Sequence, residues 1–463
     1  MQTHKTIFFV GAGGIGMANL ERYFLSKGWK TAGYDRTPSQ LTDALAREGV
    51  EIFFDDDSAL IGEAWRDPKT TLVVYTPAVP ADNRVLTYFR ENGFDVIKRA
   101  ALLGKITRDT KAICVAGSHG KTTVSSMVGL ILHEAHTGCN AFLGGILRNT
   151  GSNLLLSPGS EWSSIEADEY DRSFHHLSPT IALITSTDPD HLDIYGDEEG
   201  YLEAFRHFTE LIRPGGTLIL HTGLKLRPDV PEGVETITYS ADDPSADFHA
   251  ENIRYEQGRL FFDLITPDGR IDAIEVGVPV LINVDNSVAA AAASLIAGAT
   301  PEEVKRGLAD FQGAKRRFEF WLRPADGSMP VLLDDYAHSP NEVRASIASV
   351  RRLYPGRKLS VVFQPHLYTR TRDFAPEFAA ALSEADEVII PEIYPARELP
   401  IEGVDSNLIL KDVKAPEKSF CRRENLLDLI KSRNFDILMT LGAADIDRLL
   451  PDIYGILKSR TES

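Results

Sequence analysis

Lys121 and Thr122 follow two glycines in the stretch AICVAGSHGKTT, residues 112–123. An apolar run, Ala112 to Ala116, breaks at Gly117, and Gly120-Lys121-Thr122-Thr123 opens a helical pattern. Strand, glycine loop and helix in that order suit a phosphate loop. Gly117 and Gly120 let the backbone turn its N–H groups inward. Lys121 supplies a charge for β- and γ-phosphates, and Thr122 offers a hydroxyl to Mg²⁺. The spacing Gly-x-x-Gly-Lys-Thr-Thr is shorter than the standard phosphate-loop pattern.

A second glycine loop stands at the start of the chain. Gly11, Gly13 and Gly16 follow the apolar run Thr6 to Val10, and Asp35 ends the next one. This is the dinucleotide pattern, and on its own it fits a nicotinamide, a flavin or any other diphosphate. Glu166 in IEADEYD and His191 in DPDHLD add a carboxylate and an imidazole. With Thr122 they form an oxygen and nitrogen set for Mg²⁺ or Mn²⁺. Spacing alone leaves the plainer reading equally open: Glu166 and Asp168 as solvated turn acids, His191 as a helix-start residue. Lys315, Arg316 and Arg317 form a cationic run that reads either as a ligand clamp or as a solvated face. Asp335, Tyr336, His338, Arg370 and Arg372 follow apolar runs, where α/β sheets place ligand groups.

The elements that must position these residues read as alternating strands and helices. In the first domain, strands at Thr6–Val10, Trp29–Tyr34 and Thr71–Tyr75 frame a helix with Met17, Leu20 and Phe24 on one face. The second carries the phosphate loop, a helix with Val124, Met127, Val128 and Ile131, strands at Ser163–Glu166 and Thr180–Thr185, a hairpin about Pro267-Asp268-Gly269, and a helix at Val288–Ala297. The third has strands at Val331–Leu333, Leu359–Phe363, Glu387–Ile390 and Asp436–Thr440, with a helix at Asn341–Leu353. Such alternation implies doubly wound parallel sheets. The expected fold is α/β in three domains. Residues 1–103 are Rossmann-like, 104–317 form a phosphate-loop ATPase-type α/β domain, and 318–463 are Rossmann-like again.

The 463 residues match about three domains of ~150 residues each. A net charge of −18 argues against a nucleic-acid binder. No apolar run reaches the ~18 residues of a membrane span. Three scattered cysteines suggest neither disulfides nor a Cys-rich metal site, and a cytoplasmic setting fits them.

Eight ordered motifs then resemble the Mur ligases, ATP-dependent amide-forming enzymes of peptidoglycan precursor synthesis. They are GAGGIGM (11–17), GSHGKTT (117–123), EADEYDRSF (166–174), DPDHLD (188–193), FQGAKRRFE (311–319), DDYAHSP (334–340), FQPHLYTRTRDF (363–374) and YPARELPIEGVDS (394–406). The resemblance implies UDP-N-acetylmuramate, L-alanine and ATP as substrates. The lactyl carboxylate takes the γ-phosphoryl group, the amine attacks the acyl phosphate, and ADP and phosphate leave. Gly11, Gly13, Gly14, Ile15, Gly16 and Asp35 would then hold the UDP-sugar. Gly117, Ser118, His119, Gly120, Lys121, Thr122 and Thr123 would hold ATP, with Asn283 and Asn286 on its adenine side and Arg317 and Asp335 bridging to it. Thr122, Glu166 and His191 would hold Mg²⁺ or Mn²⁺, with Lys121, Glu166 and His191 as the catalytic set. Tyr336, His338, Arg370 and Arg372 would receive the amino acid. ATP groups drawn from two domains would call for domain closure.

Five places depart from the family pattern: Val280-Leu281-Ile282 before Asn283, Ser186 where Asn is usual, Ser339, Leu367, and Gly442-Ala-Ala-Asp445. Three other readings compete: a peptide-recycling member of the same family that takes a tripeptide, an NAD-dependent oxidoreductase, and a non-catalytic nucleotide-binding regulator.

Overall fold

The structure is a computed structural model that describes residues 5–189, 192–256, 258–324, 328–396 and 398–461. It contains three sheets. The chain forms two compact units: Met1–Glu251 with Asp263–Ile274 and Asp285–Phe311, and Asn252–Phe262 with Glu275–Val284 and Gln312–Ser463.

The first sheet has five parallel strands in the order Glu51–Phe53, Lys30–Tyr34, Thr6–Val10, Thr71–Tyr75, Asp95–Lys98. Thr6–Val10 is buried along its whole length, which explains its unbroken apolar reading. Strand order reverses around it, so its carboxyl end opens the crevice where such sheets take ligands. Val10 lies level with Tyr34 and Tyr75, which sets Gly11 and Asp35 on that edge.

In the ten-stranded sheet, Lys111–Ala116 lies between Ile181–Ile184 and Trp162–Glu166, all parallel. Val115 is level with Glu166, and Ala116 with Ile184. The phosphate loop, Glu166 and the segment after Ile184 therefore leave one edge together. The helix Lys121–Glu134 buries every residue from Val124 to Leu132. Gly129 lets it lie flush on the sheet, because a β-carbon there would stand 2.7 Å from Cβ of Ala141. Pro267 and Asp268 form the expected turn between Arg259–Thr266 and Gly269–Val276.

In the six-stranded sheet, Val331–Asp335, Ile437–Leu441, Leu359–Phe363, Glu387–Ile390 and Glu417–Phe420 are parallel, and Glu319–Leu322 runs antiparallel to Val331–Asp335. Asp335, Phe363 and Leu441 end level. The alanine-rich helix starts earlier than its composition suggested, spanning Ile282–Ile296. No helix among the described residues is long and apolar enough to cross a membrane.

Candidate active site

The phosphate loop is held in shape by its glycines and by the segment after Ile184. Gly117 has φ +138°, and a β-carbon there would stand 2.8 Å from the Ser186 nitrogen. Gly120 has φ +81° and begins the helix; a β-carbon there would lie 3.0 Å from Oδ1 of Asn286. His119 N–H donates to Oγ of Ser186 at 2.8 Å, and Ser118 N–H to the Ser186 carbonyl at 3.3 Å. Ser186 thus supports the loop where the family pattern has Asn.

Lys121 reaches back over this loop. Its Nζ donates to the carbonyls of Gly117 and Ser118 and to Oε1 of Glu169, the last at 2.9 Å. The Lys121 side chain is 14% exposed and that of Glu169 3%. Sequence reasoning missed Glu169; its only signal was an acid three residues after Glu166 in EADEYD.

Glu166 ends its strand one step from the loop. Gly144 leaves the space its carboxylate fills, since a β-carbon at 144 would stand 2.7 Å from Cδ of Glu166. Thr122 lies in the first turn of the loop's helix. A carboxylate and a hydroxyl beside a phosphate loop are hard oxygen donors, a set that fits Mg²⁺ or Mn²⁺ completed by phosphate oxygens. His191 lies outside the described residues. Among those described, no cluster of three or more His, Cys, Asp or Glu side chains could by itself cage a metal.

A cavity of about 1110 Å³ runs from the first glycine loop to Glu166. Gly11, Gly13, Gly14, Ile15, Gly16 and Asp35 line one end, and Gly144, Glu166 and Asp168 the other. Arg36, Arg84 and Arg99 also line it. These three cations, suited to a diphosphate, were not singled out from sequence because isolated arginines carry no spacing signal. Asp35 accepts from Gly13 N–H at 2.6 Å through Oδ2 and from Thr37 N–H at 3.1 Å through Oδ1. Its carboxylate is engaged in shaping the loop.

The remaining candidates fall in the second unit, apart from Asn286 in the first. Asn283 is buried and its amide donates to the Val278 carbonyl at 3.0 Å. Asp335 accepts from Phe318 N–H at 3.3 Å and from the Ser346 hydroxyl. Burial raises its pKa, opposed by the hydrogen bond from Ser346. Its neighbour Asp334 is pushed up to about 6 by burial, against the pull of Arg316. Arg316 does not belong to a solvated cationic face. Its guanidinium contacts Asp334 at 3.2 Å and donates to the carbonyls of Gly442 and Ala444 at 2.5 and 3.0 Å. Arg317 stands 5.8 Å from the ring centre of Tyr336, and that ring meets His338 edge-on at 5.3 Å. Ser339 caps the helix Pro340–Leu353 in a reciprocal box with Glu342. Arg372 pairs with Asp373 at 2.7 Å on the surface. Arg370 is half-buried near the start of the same helix, Tyr368–Leu382.

Comparison with known proteins places this geometry. Residues 6–111 match the Mur ligase family catalytic domain, 115–294 the Mur ligase middle domain, and 316–443 the Mur ligase glutamate ligase domain. The UDP-N-acetylmuramate–L-alanine ligase of Phocaeicola vulgatus is 55% identical over 99% of this chain and 100% of its own length. That of Parabacteroides distasonis is 53% identical over 97% of each chain. Among solved structures, UDP-N-acetylmuramate-alanine ligase from Thermotoga maritima superposes with a TM-score of 0.78 at 25% identity, covering 99% of this chain and 100% of that one. A murein peptide ligase from Psychrobacter arcticus gives 0.62 at 20% identity, covering 97% and 99%. Matched in all three of its sheets and alike over nearly its full length to such ligases, the chain belongs to the Mur ligase family.

Proposed function

We propose that this chain joins L-alanine to the lactyl carboxylate of UDP-N-acetylmuramate at the expense of ATP. The observation that carries the reading is the single cavity joining the first glycine loop to Glu166, one strand from the phosphate loop. A nucleotide sugar anchored by its diphosphate at Gly11–Gly16, Arg84 and Arg99 can extend its acid end toward the γ-phosphate. The relatives at 50–55% identity carry the alanine-adding name, which favours this acceptor over the tripeptide.

In this reading a lactyl carboxylate oxygen attacks the γ-phosphorus, and ADP departs. The L-alanine nitrogen then attacks the acyl carbonyl, the carbon–oxygen bond to phosphate breaks, and the nitrogen loses its proton. Lys121 neutralises charge on the β- and γ-phosphates as it moves onto ADP. The loop N–H groups of Gly117, Gly120 and Thr123 orient the triphosphate, Ser118 and His119 hold the loop in shape through their N–H bonds to Ser186, and Asn286 and Asn283 border its base. Thr122, Glu166 and His191 would hold a divalent cation, Mg²⁺ or Mn²⁺, which would screen the phosphates when bound. Arg317 and Asp335 contact ATP from the C-terminal domain, and Tyr336, His338, Arg370 and Arg372 receive the amino acid. Catalysis is positioning and charge neutralisation, with no covalent enzyme intermediate. Residues 1–103, 104–317 and 318–463 act as the sugar, ATP and amino-acid domains. The three thiols, Cys114, Cys139 and Cys421, are all free, which suits the cytoplasm.

The test supplies ATP and UDP-N-acetylmuramate with either L-alanine or L-Ala-γ-D-Glu-meso-diaminopimelate and follows phosphate release. Turnover with L-alanine is expected. Turnover with the tripeptide alone would sink the reading.

A further inference from the structure

We propose that Glu169 is the stand-in counterion of Lys121, holding the ammonium on the phosphate loop until nucleotide phosphate takes its place. This rests on Lys121 being a phosphate ligand. The pair is 2.9 Å apart and almost wholly removed from water, with side chains 14% and 3% exposed. The second oxygen of Glu169, Oε2, is buried with no hydrogen-bond partner, so Lys121 is the principal compensation for this charge.

The backbone around Glu169 is built to keep it there. Asp171 and Arg172 both adopt left-handed conformations, φ 52° and 54°, which non-glycine residues enter at a cost. Arg172 N–H closes this turn onto the Glu169 carbonyl at 2.9 Å, and the Tyr195 hydroxyl donates to the same oxygen. The Arg172 guanidinium lies 4.9 Å from the Tyr195 ring centre. Tyr195 meets Tyr201 edge-on at 5.0 Å, and the Tyr201 hydroxyl is 2.9 Å from Oγ of Ser118 in the loop. A ring of contacts therefore fixes Glu169 relative to the loop that carries Lys121.

An ammonium held this way is pre-placed but not free. When β- and γ-phosphates arrive, Nζ must share or leave the Glu169 carboxylate, and a buried anion then faces the incoming phosphates with weakened compensation. Glu169 thus acts through Lys121, as a positioning residue that lowers nucleotide affinity and so favours departure of ADP. The penalty applies only to ligands that engage Lys121.

The experiment is calorimetric titration of the full-length protein with ADP in Mg²⁺ and, separately, with adenosine. Glu169→Gln keeps the shape and removes the charge. It should tighten ADP binding by roughly tenfold or more, and leave adenosine binding unchanged. Glu169→Asp keeps the charge but withdraws it from Nζ, and should fall between wild type and Glu169→Gln. Lys121→Ala is the control for the underlying reading: it should weaken ADP binding, and unchanged ADP binding there would remove Lys121 from the phosphates altogether. If Lys121→Ala weakens ADP while both Glu169 variants, folded by far-ultraviolet circular dichroism, bind it no more tightly than wild type, the stand-in role is wrong. Equal tightening of adenosine would also overturn it. Loss of fold cannot imitate a gain in affinity, and Glu169→Asp serves if Glu169→Gln does not fold.

Discussion

Gly144 and the Glu166 carboxylate share a space that only a glycine leaves open. A β-carbon at position 144 would stand 2.7 Å from Cδ and 2.9 Å from Oε1 of Glu166. Gly144 itself is exposed and its backbone is unstrained. Gly144→Ala should therefore push the carboxylate aside without unfolding the strand. The expected result is roughly a tenfold or larger loss of turnover and a higher Mg²⁺ requirement, as for other displaced carboxylates around a metal. A Mg²⁺ titration of turnover beside a thermal melt checks it. Unchanged metal dependence would separate Glu166 from the metal.

Lys121→Ala removes the charge proposed to compensate the β- and γ-phosphates. Turnover should fall by a factor of roughly 10² or more, equivalent to several kcal/mol in the transition state. Binding of UDP-N-acetylmuramate should be little altered, because its proposed anchors line the first glycine loop. Steady-state kinetics with each substrate varied in turn gives both numbers. Retained turnover would exclude Lys121 from the chemistry.

Glu21 gives a pH prediction independent of catalysis. It is fully buried in the helix Ile15–Ser26, and neither carboxylate oxygen has a hydrogen-bond partner. Burial raises its pKa well above normal; Asp35 and Glu48 add to the rise, and Arg22 opposes it. The folded state thus binds a proton that the unfolded state releases near pH 4.3. That stabilisation is complete below the unfolded value and is lost as pH rises toward the raised folded value. Glu21→Gln should raise the melting temperature more at pH 8 than at pH 4.5. A pH-independent difference in scanning fluorimetry would contradict the assignment.

Much of this molecule was legible because its central strands are buried on both faces. Thr6–Val10 and Lys111–Ala116 read as apolar runs, each followed by glycines that the turn geometry requires. Edge strands such as Glu51–Phe53 and Glu417–Phe420 are three or four residues long and have no buried residue, so they carry no long apolar run. In the site, the places of Lys121 and Glu166 beside the glycine loop were legible from motif context. The place of Glu169 against Lys121 was not, because it depends on a left-handed turn at Asp171 and Arg172 that no residue type announces. Arg316 reads in the sequence as one of three neighbouring cations, yet the fold turns it onto Asp334 and two carbonyls. Ser186 and Ser339, departures from the family pattern, prove to be a loop support and a helix cap.

In the proposed reaction a carboxylate is activated by phosphoryl transfer before the amine arrives. UDP-N-acetylmuramate labelled with ¹⁸O in the lactyl carboxylate, incubated with ATP, Mg²⁺ and L-alanine, tests it directly. Mass analysis of the released phosphate should find one ¹⁸O atom per phosphate, carried over when the acyl phosphate breaks. Phosphate free of label, with amide product formed, would rule out the acyl phosphate.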